Sequence, residues 1–82
     1  MKIFAVIEHK PATGRIKRGR FEAMLKARDF TNLPGVPCGW VSDHTYSDVV
    51  AARDAIIEAS AASGVGIMKA YVIEYGNFAL VP

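Results

Sequence analysis

Eighty-two residues, 51% hydrophobic and 22% charged, describe one ordinary globular domain over 1–82, neither disordered nor collagen-like. A single cysteine, Cys38, excludes an intrachain disulfide and leaves too few thiols for a zinc ribbon; no early apolar run is long enough for a signal-peptide core or a membrane span, so a soluble, intracellular protein is expected. The net charge of +2 hides an asymmetry: residues 10–28 hold seven cations against Glu22, a net of +6, and the remainder holds three cations against seven acids, a net of −4.

Met1 to Glu8 reads as a strand, because Ile3, Phe4, Val6 and Ile7 are β-formers and both of its faces are apolar, which suits a central position in a sheet. Lys10-Pro11-Ala12-Thr13-Gly14 is a turn. The next stretch has two readings. Ile16 to Ala23 can return as a second strand with Gly19 at a bulge, or Phe21, Met24, Leu25 and Arg28 can mark a helix over Arg20–Asp29. The favoured expectation is a basic strand or loop to about Arg20, then a helical stretch.

Thr31 to Asp43, broken by Pro34 and Pro37, is a connector with Trp40 as its anchor into the core. Thr45-x-x-Asp48 resembles a capping box, and Tyr46, Val49, Val50, Ile56 and Ile57 then recur at helical spacing up to Gly64, a left-handed C-cap. One long helix, about 46–63, follows. Ile67 to Glu74 is a strand, Tyr75-Gly76-Asn77 a turn and Phe78 to Val81 a closing strand. The fold class is α+β: a three- to four-stranded, mostly antiparallel sheet with the long helix packed across it.

On a helical wheel, Tyr46, Val49, Val50, Ile56, Ile57 and Ser60 form the expected buried stripe, with Arg53 at its centre. An arginine there pairs with Glu8 or Glu74, snorkels, or faces a partner. The opposite face, including Ala51, Ala52, Ala55, Ala59 and Ala62, reads as a solvated face built for helix propensity, although a flat small-residue face also admits a close neighbour.

No catalytic or metal constellation emerges. Cys38, Asp43 and His44 lack ligand spacing; Cys38 before Gly39-Trp40 reads as a packed thiol, and His44 as helping to cap the long helix. Gly64-Val65-Gly66 follows a helix instead of opening one, which is the wrong order for a phosphate cradle. No cofactor is expected.

The basic segment carries the most information. Arg15, Lys17, Arg18 and Arg20 place four cations within six residues. They suit phosphate contacts, an acidic protein groove, or protection of a sheet edge. Arg18-Gly19-Arg20 resembles the core of an AT-hook, with Phe21 where that family has proline. On the Ile67 strand, Lys69, Tyr71 and Tyr75 share one face with Ile67 and Ile73, and Met68, Ala70, Val72 and Glu74 share the other. Tyrosines beside a cation are typical interface anchors. The candidate partner-binding residues are therefore Arg15, Lys17, Arg18, Arg20, Lys69, Tyr71 and Tyr75.

The plan of Lys2 to Glu8 as a strand, an alanine-rich helix over Val49–Ala62 and a tyrosine-bearing hairpin with Gly76-Asn77 at its turn resembles small phage- or prophage-encoded anti-CRISPR proteins. That resemblance implies a non-enzymatic inhibitor in the cytoplasm of a bacterial host, one that binds a Cas effector subunit and sterically blocks nucleic-acid recognition. Many such inhibitors are acidic DNA mimics, whereas this chain is basic, which points to an acidic protein surface or to guide-RNA contacts. The rival expectations are a nucleic-acid-binding accessory domain using residues 15–20, and a small oligomeric ferredoxin-like domain that binds a ligand or acts as an enzyme. The chain is expected as a monomer or small homo-oligomer, with no membrane partner.

Overall fold

A computed structural model describes residues 2–10, 14–36 and 38–76. The elements are β1 (Ile3–His9), α1 (Arg15–Ala27), β2 (Thr31–Asn32), β3 (Gly39–Ser42), α2 (Val49–Ser63) and β4 (Ile67–Glu74). The sheet is antiparallel throughout, in the order β2-β3-β1-β4. The α+β class holds, and the β-α-β-β-α-β sequence is the split βαβ plan of ferredoxin-like domains. β1, apolar on both faces, lies centrally between β3 and β4 as its composition requires. The closing strand expected over 78–81 lies outside the described residues.

Register decides which side of the sheet is covered. Ile3 opposes Ser42 and Glu74, and Ala5 opposes Trp40 and Val72. This side carries the helices, and Ile3, Ala5, Ile7 and Trp40 are buried beneath them with Phe21, Leu25, Phe30, Ala52, Ile56 and Ala59.

Three expectations are corrected. Thr31 to Asp43 is more than a connector, since it forms β2 and β3, which pair with each other while β3 also pairs with β1. The basic segment is not an extended arm: α1 begins at Arg15, with the Arg18 N–H donating to the Gly14 carbonyl at 3.0 Å. Phe21 and Leu25, four residues apart, both enter the core, and the helix they fix runs back through good helix formers, tolerating Gly19 at the usual cost of about 1 kcal/mol. The sheet therefore carries two helices.

The stripe on the long helix is also corrected. α2 starts at Val49 and buries Ala52, Ala55, Ile56, Ala59 and Ser63, while Val50 and Ile57 are exposed and Val49 sits at the margin. Side-chain volume was the misleading signal. α2 packs against both α1 and β4, and small residues on its inner face let those backbones approach. Arg53 consequently lies outside the core, its side chain 59% exposed and in contact with Asp54 at 3.2 Å, with neither Glu8 nor Glu74 as its partner.

The helix ends explain the connectors. Asp48, not Thr45 or His44, is the N-cap of α2, accepting from the Ala51 N–H at 2.7 Å. Gly64 closes α2 at φ 73°, as expected of a left-handed cap. At the C-terminus of α1, the Phe30 N–H donates to the Leu25 carbonyl and the Asp29 N–H to the Lys26 carbonyl, a Schellman motif with Asp29 in the left-handed position at φ 64°. Tyr46 precedes α2 instead of starting it. Its ring stacks on Phe30 with centroids 5.3 Å apart, and its hydroxyl donates to the Arg28 carbonyl at 2.6 Å, tying the α2 approach to the end of α1. Burial in that contact pushes the Tyr46 phenol up from its ordinary range.

Candidate functional site

The first turns of α1 stand clear of the domain. Every residue from Gly14 to Arg20 is exposed, including Ile16 at 74%, so Arg15, Lys17, Arg18 and Arg20 ring a helical protrusion instead of lining one face. Phe21 is the first side chain to reach the core. Among the described residues none of the four cations has a carboxylate within ion-pair distance.

This placement opposes the helix's own electrostatics. The amino end of a helix carries partial positive charge and favours acids, yet the first turn of α1 holds none. Gly14 supplies no side-chain acceptor for the unsatisfied N–H groups. Arg15 and Arg18, and Lys17 and Arg20, are also like-charged pairs three residues apart, each unfavourable by roughly 0.2–0.5 kcal/mol. The end of α1 thus combines outward N–H groups, a positive dipole and four cations.

His9 sits beneath this end. Its ring meets Phe21 edge-on at 5.1 Å, and among the described residues its buried Nδ1 has no hydrogen-bond partner. Burial, with Arg18 adding to it and Glu22 opposing, holds the imidazole below its ordinary pKa. The histidine reports on the cluster because one of the four cations acts on it directly.

Lys69, Tyr71 and Tyr75 lie elsewhere. By register Phe4 opposes Ile73, Val6 opposes Tyr71 and Glu8 opposes Lys69, and this set faces away from the helices. Tyr71 is 59% exposed and Ile73 51%. Tyr75 packs edge-on against Phe4, and its hydroxyl donates to Asp43 at 2.9 Å. Partial burial first, and that carboxylate second, raise the Tyr75 pKa. The predicted set therefore divides between the α1 protrusion, on the helical side, and the open face of the sheet. Phe4, Val6 and Val41 join Ile73 on the second surface without having been singled out; strict alternation along Ile3–Glu8 was the available signal.

The remaining candidates stay apart. Cys38 is exposed, not packed. His44 lines an open cleft of about 360 Å³ with Asp29, Asp43 and Thr45, where the Thr45 hydroxyl donates to Asp29 at 2.9 Å. Among the described residues no group of three His, Cys, Asp or Glu side chains could hold a metal ion, and no helix is long and apolar enough to cross a membrane. No protein-family model, curated protein or solved structure matches the chain.

Proposed function

We propose that this is a small, non-enzymatic binding protein that docks the amino-terminal turns of α1 onto an anionic surface of a protein partner. One observation carries the reading: Arg15, Lys17, Arg18 and Arg20 are held on a folded protrusion, exposed and without acid partners among the described residues, at the helix end where cations are least favoured. Clustered cations raise association rates and pair with acids that the partner desolvates. Ile16, exposed among them, adds an apolar contact of the kind that anchors a polar interface. The anti-CRISPR-type inhibitor is the narrower form of this proposal, with α1 seated on a Cas effector subunit and occluding its nucleic-acid path.

A second reading is favoured by the N–H groups at Gly14–Lys17, which no side chain caps among the described residues, since outward N–H groups with the helix dipole suit phosphate oxygens. In that case α1 contacts nucleic acid directly.

Replacing Arg15, Lys17, Arg18 and Arg20 together by glutamine tests both. Binding of wild type and variant is measured against duplex DNA, single-stranded RNA and an acidic protein surface, a Cas effector complex for the narrower form, across a salt series. The main proposal expects tight protein binding that the variant loses, with only weak binding to bare nucleic acid. Strong binding to bare duplex, with a log–log salt slope near −4 for about four phosphate contacts, transfers the function to the second reading. Equal binding by the variant to every probe removes α1 from both.

A further inference from the structure

The cleft beside His44 is built almost wholly of polar side chains. It has a volume of about 360 Å³ and lies where α1 ends and the chain leaves β3, lined by Asp29, Thr31, Ser42, Asp43, His44 and Thr45. Ser42 stands out among them. Register opposes it to Ile3, so its side chain lies on the helix-covered side of the sheet, where α1 delivers Asp29 and where the Tyr46 contact with the end of α1 holds Thr45. The residue is 3% exposed, and its Oγ has no hydrogen-bond partner among the described residues. Buried polar groups in native proteins are nearly always satisfied, and an exception calls for a physical cause. Here the hydroxyl stands at the floor of a polar cleft.

The two carboxylates of the cleft are under-used as acceptors. Asp29 accepts from the Thr45 hydroxyl at 2.9 Å and Asp43 from the Tyr75 hydroxyl at 2.9 Å, both neutral donors, whereas an ionised carboxylate offers about four acceptor positions. Among the described residues neither has a cation within ion-pair distance, and residues 11–13, 37 and 77–82 contribute no charged side chain. Arg28, next to Asp29 in sequence, is directed instead to Glu58 at 3.7 Å and to the Met24 carbonyl at 3.2 Å. The carboxyl end of α1, which carries partial negative charge, adjoins the same cleft at Asp29. Among the described residues no three His, Cys, Asp or Glu groups could hold a metal ion, so these acceptors suit a broader cation with separated donors.

We propose that the cleft binds a small organic cation bearing several N–H groups, a guanidinium or primary ammonium compound, held between Asp29 and Asp43 with one N–H donated to the Ser42 hydroxyl. Hydrogen bonds from a cation to a carboxylate are roughly twice as strong as those between neutral groups, and a guanidinium spreads its donors over a planar fork. The volume lies at the small end of ligand sites, which suits a free small molecule. His44 and the hydroxyls of Thr31 and Thr45, all exposed, rim the opening. The site lies at the opposite end of α1 from its four cations, and the inference is independent of what they bind.

An amide NMR titration of the full chain with agmatine, which carries a guanidinium and a primary ammonium group, tests it at constant ionic strength. Saturable shifts are expected at Asp29, Thr31 and Ser42 to Thr45, with a dissociation constant at or below about 1 mM. Hexamethonium, a dication without N–H groups, is expected to give none there. Asp29→Asn and Asp43→Asn are each expected to weaken agmatine at least about fivefold, and Ser42→Ala about threefold. Asparagine tolerates the left-handed φ of 64° at position 29 and still accepts a hydroxyl donor at either site, and the spectra themselves report whether each variant is folded. Asp54→Asn, beside Arg53 on α2, is expected to leave the affinity unchanged. No saturable shift up to about 10 mM agmatine overturns the proposal. So does equal binding of hexamethonium, shifts spread evenly over Asp48, Asp54 and Glu58, or an affinity unmoved by both aspartate changes or by Ser42→Ala.

Discussion

α2 begins with Asp48 on the Ala51 N–H, ends at a left-handed Gly64, and lays Ala52, Ala55, Ile56 and Ala59 against its neighbours. α1 lies beside it on the same sheet face and begins with Gly14, four cations and no acid in its first turn, with Phe21 and Leu25 as its buried residues. α2 is therefore consistent at every level, in propensity, capping and packing. α1 has good packing and a sound Schellman ending joined to an amino end that its own electrostatics disfavour. Local conflicts of this kind in an otherwise coherent fold are where a functional demand is expected. The contrast separates what α1 needs to fold from what it carries for a partner.

The largest effect is expected where α1 meets the core. Phe21→Ala should lower stability by about 3–5 kcal/mol, most of what a domain this small possesses, because it removes the first buried side chain after the protrusion. Urea denaturation measures it. A loss below about 1 kcal/mol would mean that α1 is held by its own propensity and not by packing.

The two amino ends should respond in opposite directions. Asp48→Ala removes the side-chain cap of α2 and should cost about 1 kcal/mol. Gly14→Asp places an acceptor and a negative charge at the extended cap position of α1, where φ is −75° and ψ 159°, and should raise stability by about 0.5–1 kcal/mol. Equal destabilisation by both changes would erase the difference between the helices.

A smaller effect is expected at His9, whose pKa is depressed chiefly by burial and secondarily by Arg18. The folded state thus prefers the neutral ring, while the unfolded chain begins to protonate near pH 6.5. Its contribution is fully present above about pH 6.5, is lost as pH falls from there through the depressed folded pKa, and changes no further below that value. Arg18→Gln should raise the His9 pKa in an NMR titration and narrow that window. A pKa unmoved by the change would place Arg18 away from the imidazole.

Half of the sheet was legible in the sequence: alternation and β-branching mark β1 and β4 directly, whereas Thr31 to Asp43, whose prolines read as a connector, holds the short strands β2 and β3. Two apolar faces on Ile3–Ile7 placed β1 in the middle, and Gly64 marked the end of α2. The α2 stripe was not legible, because large residues attract attention and this helix is buried through alanines, whose small size matters only once α1 is known to lie beside it. The helical state of residues 15–20 was hidden for a related reason. Gly19 and a row of cations argue against a helix locally, and Phe21 with Leu25 overrides them through tertiary packing. Among the candidate residues, composition identified the cations and spacing identified the Lys69–Tyr71–Tyr75 face. The chain path between them, which sends the two groups to opposite sides of the sheet, was not in either signal.

α1 carries Arg15, Lys17, Arg18 and Arg20 against its own stability. Thermal melting of the quadruple glutamine variant beside wild type, at about 20 mM and then about 0.5 M salt, tests it most directly, since screening at the higher salt shrinks the Debye length to a few ångströms. The account predicts that the variant melts several degrees above wild type at low salt and that the gap largely closes at high salt. A variant that melts below wild type at low salt would contradict it, because the four cations would then be stabilising the fold they protrude from.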